Sequence, residues 1–264
     1  MAKISQTPTP YPNVNVVLHA LLKETRAALG ENLFGMYLYG SLASGDFDEH
    51  SSDVDFVIVT NQEITADEIS KLCALHERIA HSGLEWAKKL EGSYVPRAVL
   101  RRYIPNDIAR PQYNEGVFFL APHESDWIVQ RYILRAYAVV VAGPPIQPLI
   151  DPVSSDELRG AVAGILSGWW AMHILTQPQA LLRAGYQPYA VLTMCRALYC
   201  FEHGAIVSKP RAARWAMESL EGKWNSLIEH ALSHRADTSD NALAQTTELI
   251  RYTVARAAMY RVPK

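Results

Sequence analysis

The sequence lacks the features that mark secreted, disulfide-bonded or membrane-embedded chains. It has three cysteines among 264 residues, Cys73, Cys195 and Cys200, and an odd number without paired short spacings argues against a disulfide framework or a zinc site. No apolar stretch approaches the length of a membrane span, and the polar, proline-bearing segment 1–12 has no apolar signal-peptide core. We therefore expect a cytoplasmic protein with no membrane partner, and we expect Cys195 and Cys200, which lie in an apolar run, to be buried thiols.

An excess of charge of either sign is also absent. Lys and Arg total 25 and Asp and Glu total 27, which gives a net charge of −2. This balance disfavours a nucleic-acid partner, because such proteins usually present a strongly basic face. With 49% hydrophobic residues, the composition is that of a globular protein large enough for one large or two small domains.

One stretch carries the strongest chemical signal. The apolar, aromatic-rich run Gly35–Tyr39 predicts a buried strand, and Gly40 and Ser41 follow it directly. Glycine permits a sharp turn and lets a phosphate approach the backbone amides, and serine adds a hydroxyl donor. This order predicts a phosphate-binding turn at the end of a strand.

Two aspartates follow this turn after a polar loop at 46–52. If residues 53–59 form a strand, its side chains alternate, so Asp53 and Asp55 lie on one face. Two carboxylates beside a phosphate-binding turn suit a Mg²⁺ ion that carries a nucleoside triphosphate. A Gly-Ser turn or an Asp-x-Asp pair is weak alone, but the two in this order are much more specific.

The rest of the chain predicts an α/β domain followed by a helical one. Up to residue 150 we expect helices at 14–29, 63–89 and 125–137, strands opening at Glu91 and Val139, and only a loop or irregular strand pair at 105–121. A Pro, Asp and Ser cluster at 148–154 marks a boundary. Beyond it no strand alternation occurs, and we expect helices at 154–176, 187–203, 209–220, 224–233 and 240–258.

The motif order and the second half of the chain resemble one family. Gly-Ser followed by Asp-x-Asp is similar to the signature of the nucleotidyltransferase superfamily. The segments 189–199, 204–209 and 212–218 resemble the helical domain of the aminoglycoside (3'')(9) adenylyltransferases, which modify streptomycin and spectinomycin. The segments 142–145 and 151–153 resemble that family's inter-domain connection. The resemblance covers most of the chain.

The resemblance implies an α+β protein with a polymerase-beta-like nucleotidyltransferase domain at 1–150 and a helical bundle at 151–264. It implies that ATP and two Mg²⁺ ions bind in a cleft between the domains, and that a small hydroxylated acceptor enters this cleft from the helical side. The reaction would be magnesium-dependent transfer of AMP from ATP to a hydroxyl of an antibiotic such as spectinomycin or streptomycin.

Several site residues of the family can be matched to residues in the first half of this chain. Gly40 and Ser41 match the phosphate-contacting turn, and Asp53 and Asp55 match the metal ligands. Glu91 matches the catalytic base and a further metal ligand. A carboxylate on an adjacent strand could bridge a metal or take a proton from the attacking hydroxyl, although a surface glutamate at a strand start is the alternative.

Two cations of the second half match those that the family offers to the triphosphate. Arg196 lies in an apolar run and requires an anion, which a structural carboxylate would supply as well as a phosphate. Lys209 lies at a predicted loop-to-helix junction, where a solvated role is the alternative. The implied role of both is to hold the departing pyrophosphate.

The sequence departs from the family where the cationic drug is bound. The family has an acidic residue shortly before the helix that contains the arginine, whereas residues 184–189 contain none. The family also has a tryptophan in a linker that corresponds to 115–125, which here contains Phe118 and Phe119 but no tryptophan; Trp127 lies further on. A polycation needs anions, so this change affects streptomycin more than the smaller, less charged spectinomycin.

Two other functions therefore stay open beside antibiotic adenylylation. The chain could be a nucleotidyltransferase of the same fold with another small-molecule acceptor, or a non-catalytic module that senses ATP. Three carboxylates argue against the sensor, because a binding module needs no base. We expect a monomer, since no long apolar helix face lacks an intramolecular use.

Overall fold

The computed structural model describes residues 5–50, 52–233 and 242–260. The chain divides into two compact units. The first consists of Met1–Asp48 and Ser52–Pro152, and the second of Val153–Lys264 together with the short segment Glu49–Ser51. The predicted architecture, an α/β domain followed by a helical one, is confirmed.

A six-stranded mixed sheet forms the framework of the first unit. Its strands are β1 (Leu33–Leu38), β2 (Val54–Thr60), β3 (Leu90–Pro96), β4 (Arg110–Asn114), β5 (Val117–Ala121) and β6 (Val139–Ala142). They lie in the order β5-β4-β3-β2-β1-β6. The central strands β2 and β3 are parallel, and the other neighbouring pairs are antiparallel.

Within the described residues of this unit, five α-helices accompany the sheet. They are α1 (Pro12–Leu29), α2 (Gly40–Ser44), α3 (Ala66–Ala80), α4 (Arg97–Leu100) and α5 (Asp126–Tyr137), with short 3-10 turns at Gly30–Asn32, Ala87–Lys89 and Gln147–Leu149. Apolar side chains of α1 and α3 form one buried core with alternate residues of the central strands, including Leu21, Leu72, Met36, Phe56 and Ile58. This core covers one face of the sheet, and the alternate residues Val57 and Val59 of β2 are buried on the opposite face.

The boundaries of the first unit differ from the expected ones in three places. The helix expected at 63–89 begins with the predicted Thr65 capping box but ends at Ala80, and Gly83 then adopts a left-handed φ of +74°. Residues 105–121, expected to be a loop or irregular strand pair, contain the hairpin of β4 and β5. The turn after β1 continues directly into the single-turn helix α2, which the Gly-Ser pair alone did not indicate.

The second unit is helical throughout its described residues, as predicted. It contains α6 (Ser155–Ile165), a π-helical segment (Leu166–Ile174), α7 (Tyr186–His203), α8 (Lys209–Ser219), α9 (Asn225–Ser233) and α10 (Leu243–Ala257), with 3-10 turns at Pro178–Leu182, Gly222–Trp224 and Ala258–Tyr260. Helix α7 is the centre of the bundle, since α6, α8, α9 and α10 all contact it. Asp240, where the last helix was expected to begin, lies outside the described residues.

The cysteines are free thiols, as their number predicts. Cys195 and Cys200 are buried in α7, where burial raises the pKa of their thiols to about 12 and about 11. Their burial agrees with the prediction made for these two thiols, and Cys73 is partly exposed on α3. No helix in the described ranges is both long and apolar enough to cross a membrane.

A neutral histidine is buried under the sheet. His76 of α3 has a Nε2–Tyr94 Oη hydrogen bond of 2.8 Å, and its ring stacks on Tyr113 with a centroid distance of 4.0 Å. Burial lowers the pKa of His76 from 6.5 to about 3. Because the folded-state pKa is lower than the unfolded one, the unfolded chain takes up a proton that the folded chain does not.

We therefore expect His76 to make the protein lose stability as the pH falls from 6.5 toward 3. Between pH 7 and pH 5 the loss in the free energy of unfolding should be about 2 kcal/mol. Urea unfolding of wild type and His76→Gln across this range measures it, because titrating carboxylates are common to both proteins. Exposed His81, replaced in the same way, is the control, and equal pH slopes for wild type and His76→Gln would contradict the expectation.

Candidate active site

Two carboxylates lie side by side on the central parallel strands. In both β2 and β3 the second residue, Asp55 or Glu91, is the one strand residue that is not buried. The register pairs Asp55 with Glu91, and neighbouring strands lie about 4.8 Å apart with paired side chains on the same face. Since the flanking Val54 and Phe56 belong to the core with α1 and α3, this pair faces the opposite side of the sheet.

The backbone of the Gly-Ser turn packs against the side chain of Asp55. Gly40 begins α2 with a left-handed φ of +63°, and a Cβ atom added there would lie 1.8 Å from Oδ2 of Asp55. The backbone N–H of Tyr39 donates to the carbonyl of Asp55 at 3.2 Å. Ser41 follows in the only turn of α2. Glycine is thus required at position 40 both by the backbone conformation and by the carboxylate against it.

Asp53 lies just outside the strand. It is exposed and precedes β2 by one residue, separated from Asp55 by the fully buried Val54. Alternation along an extended chain gives Asp53 and Asp55 the same face, as the sequence predicts.

A fourth carboxylate, that of Asp126, lies near enough to the buried Tyr39 to affect its pKa. Burial raises the pKa of Tyr39 well above its ordinary value, and the charges of Asp55, Glu91 and Asp126 raise it further. Asp126 is the first residue of α5, and burial followed by the charge of Glu124 raises the pKa of its carboxyl group. Asp126 was not predicted from the sequence, because an acidic residue in the first turn of a helix is common for local reasons.

The donor set suits a magnesium ion that arrives with a nucleotide. In the described ranges no group of three or more His, Cys, Asp or Glu side chains is arranged to hold a metal ion alone. Mg²⁺ bound to a triphosphate needs only one or two carboxylates, because phosphate oxygens and waters complete its octahedron. A Cβ atom at position 40 would fall on the Asp55 carboxylate, so only glycine lets the backbone of this turn lie against it.

Arg196 and Lys209 belong to the second unit. Arg196 is half-buried on α7, and Lys209 is the first residue of α8. The Nζ atom of Lys209 lies 4.5 Å from the ring centroid of Tyr189, another residue of α7. Tyr189 and Arg196 are seven positions apart, which is two helical turns, so they share one side of α7. The structure thus gathers both predicted cations on one side of this helix.

Trp127 is a core residue. It is 7% exposed on α5, and its ring contacts that of His123 at a centroid distance of 3.8 Å and an interplanar angle of 36°. Burial lowers the pKa of His123 to about 4, so this ring is neutral at physiological pH. Trp127 therefore does not replace the linker tryptophan that the sequence lacks.

Two family profiles match the chain. Residues 148–259 match "Aminoglycoside adenylyltransferase, C-terminal domain", and residues 21–97 match "Nucleotidyltransferase domain". The second range contains the Gly-Ser turn and the carboxylates of both central strands, and the first range contains Arg196 and Lys209. These matches confirm the resemblance predicted from the motifs.

Curated relatives and a solved structure agree with the profiles. An aminoglycoside (3'')(9) adenylyltransferase of Escherichia coli is 26% identical over 245 residues, 85% of this chain and 87% of the relative. A spectinomycin 9-adenylyltransferase of Staphylococcus aureus is 22% identical over 223 residues, 80% of either chain. The spectinomycin adenyltransferase of Enterococcus faecialis, solved with ATP and spectinomycin, superposes with a TM-score of 0.67 at 19% identity over 92% of this chain and 98% of that one. At this identity the match shows a shared fold.

Proposed function

We propose that this chain, which resembles the aminoglycoside (3'')(9) adenylyltransferases along most of its length, transfers AMP from ATP to a hydroxyl group of an aminoglycoside-type antibiotic. The observation that carries the proposal is the paired register of Asp55 and Glu91 directly against the Gly40 turn, inside the range that matches a nucleotidyltransferase profile. ATP as the donor is also the reason for proposing a cytoplasmic enzyme, and we propose that it acts as a monomer.

The proposed chemistry makes all three carboxylates metal ligands and makes Glu91 the base as well. Asp53 and Asp55 would hold Mg²⁺, and Glu91 would both contact it and accept the proton of the acceptor hydroxyl. When bound, Mg²⁺ would neutralise the triphosphate and polarise the α-phosphate. As Glu91 takes the proton, the acceptor oxygen bonds to the α-phosphorus, the bond from that phosphorus to the bridging oxygen breaks, and pyrophosphate leaves.

The remaining residues would position the nucleotide. Gly40 leaves the backbone at the turn accessible to a phosphate, and the hydroxyl group of Ser41 would donate a hydrogen bond to it. Arg196 and Lys209 would bind the charge that develops on the departing pyrophosphate. The product is an AMP ester of the acceptor, which no longer has the shape or the charge of the drug.

The second unit favours an acceptor with little positive charge. Between residues 158 and 217 the sequence contains Glu202 as its single carboxylate, against six cations, which are Arg159, Arg183, Arg196, Lys209, Arg211 and Arg214. This range includes most of α6, all of α7 and the first part of α8. A polycation bound there would lack anions, and unmatched charges are costly to desolvate. We therefore propose a spectinomycin-type acceptor in preference to a streptomycin-type one.

A drug panel tests both parts of this proposal. Purified protein, Mg²⁺ and ATP are mixed with spectinomycin, streptomycin or other aminoglycosides, and pyrophosphate release is followed. We expect release with spectinomycin at a kcat/KM at least about tenfold above that with streptomycin, which corresponds to about 1.4 kcal/mol. Mass spectrometry of the drug should show the added AMP. Release with streptomycin alone would contradict the acceptor class.

The variant Tyr186→Asp tests why the two drugs should differ as acceptors. It introduces a carboxylate at the start of α7 and should improve streptomycin more than spectinomycin, whereas the uncharged Tyr186→Asn should not. If no drug releases pyrophosphate while ATP still binds calorimetrically, antibiotic transfer is wrong, and another acceptor or an ATP sensor takes its place.

A further inference from the structure

One phenylalanine of the loop that joins the Gly-Ser turn to Asp53 lies between two other aromatic rings. The ring centroid of Phe47 is 4.7 Å from that of Tyr11 and 5.2 Å from that of Trp86. Both pairs are tilted, with interplanar angles of 52° and 48°. Tyr11 Oη also donates a hydrogen bond of 3.3 Å to the backbone carbonyl of Phe47. The loop is thus attached through both the side chain and the main chain of one residue.

These three residues, Tyr11, Phe47 and Trp86, form an aromatic anchor on the core of the first unit. Trp86 is 2% exposed and belongs to the buried cluster with α1 and α3, and Tyr11 and Phe47 are half-buried against that cluster. Tilted aromatic pairs at these centroid distances attract each other beyond the effect of area burial alone. Because the ring of Trp86 cannot move without disturbing a close-packed core, Phe47 has few alternative positions.

The aromatic anchor joins two chain segments that carry carboxylates of the candidate site. Phe47 lies six residues before Asp53, and Trp86 lies five residues before Glu91. The 3-10 turn Ala87–Lys89 follows Trp86 directly and leads into β3. The contact between Phe47 and Trp86 therefore links the loop before Asp53 to the segment before Glu91, although the two are distant in sequence.

A pair of hydrogen bonds connects the aromatic anchor to Asp53. The backbone N–H of Asp48 donates to Oγ of Ser52 at 3.0 Å, and the backbone N–H of Ser52 donates to the carbonyl of Asp48 at 2.9 Å. Asp48 follows Phe47 directly, and Ser52 precedes Asp53 directly. The loop is therefore closed between Phe47 and Asp53, so fixing the first residue also restricts where the second one lies.

We propose that Phe47 is a positioning residue for Asp53, and that the aromatic anchor holds this carboxylate where it can share a Mg²⁺ ion with Asp55. The inference rests on the proposed function, in which both aspartates bind the metal. The pairing of β2 with β3 begins at Val54 and Leu90, so it includes Asp55 but not Asp53. Mg²⁺ demands near-ideal octahedral geometry, so a displaced ligand lowers its affinity. The competing role for the aromatic anchor is stabilisation of the fold alone.

Calorimetric binding of ATP with Mg²⁺ and with EDTA separates these two roles, because the ratio of the two dissociation constants is the gain in affinity that the metal supplies. We expect Phe47→Ala to reduce this gain about fivefold. Its affinity for ATP in EDTA should stay unchanged. Phe47→Tyr keeps the ring and should restore the gain.

Ile64→Ala is the matched control for a loss of stability. Ile64 is also a partly buried apolar residue packed against the same core, but it follows the opposite end of β2 from Asp53. Urea unfolding should show that both Phe47→Ala and Ile64→Ala are destabilised, whereas only Phe47→Ala should reduce the gain from Mg²⁺. If circular dichroism shows that Phe47→Ala is not folded, Phe47→Leu takes its place.

A double-mutant cycle tests whether the effect acts through Asp53. In the Asp53→Asn background, Phe47→Ala should cause no further reduction of the gain from Mg²⁺. An equal reduction with and without the Asp53 carboxylate would overturn the inference. An unchanged gain in Phe47→Ala would overturn it as well.

Failure of the proposed function gives a different pattern of results. If Asp53→Asn shows the same gain from Mg²⁺ as wild type, Asp53 is not a metal ligand, and both its proposed role and this inference are wrong. If Asp53→Asn loses the gain while Phe47→Ala keeps it, only the inference is wrong. Absent pyrophosphate release with every drug would reject antibiotic transfer and would leave the cycle readable.

Discussion

Replacing Glu91 by glutamine is expected to lower kcat for AMP transfer by about 10³-fold or more while ATP still binds. Glutamine keeps the size and the hydrogen-bonding capacity of the side chain but cannot accept the proton of the acceptor hydroxyl. Position 91 is the second residue of β3 and is half-exposed beside Asp55, so the exchange should leave the strand intact. Pyrophosphate release with a saturating acceptor measures kcat, and calorimetry measures ATP affinity.

The comparison with Asp55→Asn separates the proposed base from the proposed metal ligand. Asp55→Asn should lose affinity for ATP in the presence of Mg²⁺, because it removes a ligand charge, whereas Glu91→Gln should lose mainly kcat. Glu77→Gln, an exchange at an exposed position of α3, should be neutral. A Glu91→Gln enzyme with nearly normal kcat would refute the base, and if such an enzyme also lost Mg²⁺-dependent ATP affinity, Glu91 would be a metal ligand only.

The parts of the first unit that the sequence predicted well are those with local signals. The Gly-Ser break after an apolar run, the Asp-x-Asp pair and the Thr65 capping box each occupy a few consecutive residues, and the structure has a turn, a strand and a helix start at these places. Strand order and register depend on contacts between distant residues. The motifs therefore indicated Asp55 and Glu91 separately, and only the structure shows that they are register partners.

The residues that the sequence missed act through tertiary contacts. Asp126 begins a helix at a position where acidic residues are common, so nothing local marks it as a neighbour of Tyr39. The hairpin of β4 and β5 was hard to recognise because Pro111 and Gln112 interrupt the apolar alternation of β4. Its turn does contain a glycine, Gly116, with a left-handed φ of +85°.

In the second unit, too, the sequence indicated local features and did not indicate contacts between different helices. Family resemblance indicated Lys209, but its aromatic partner Tyr189 lies on the preceding helix, and no periodicity joins the two positions. The helical pattern at 154–176 was recognised as one helix, although its hydrogen bonding changes to a π-helix from Leu166 to Ile174. Side-chain periodicity differs little between the two forms over so short a segment.

Replacing Gly40 by alanine is expected to lower kcat/KM for AMP transfer by at least about 100-fold, because it displaces the carboxylate of Asp55, a proposed metal ligand, from its place in the site. The added Cβ atom would lie 1.8 Å from Oδ2 and 2.6 Å from Cγ of Asp55, so either the turn or the carboxylate must move. The left-handed φ of +63° at this position adds backbone strain of about 1–3 kcal/mol. Activity and urea unfolding measure the two effects separately.

Gly45→Ala is the matched control because it separates backbone strain from the clash. Gly45 ends α2 with a comparable left-handed φ of +79°, and an added Cβ atom would have nothing within 4 Å. We expect it to lose about 1 kcal/mol of stability and to keep its activity. If Gly40→Ala and Gly45→Ala lost activity equally, strain in α2 would be the cause. A selective loss in Gly40→Ala, with ATP affinity reduced as in Asp55→Asn, would mean that glycine is needed at position 40 because the Asp55 carboxylate occupies the space of its side chain.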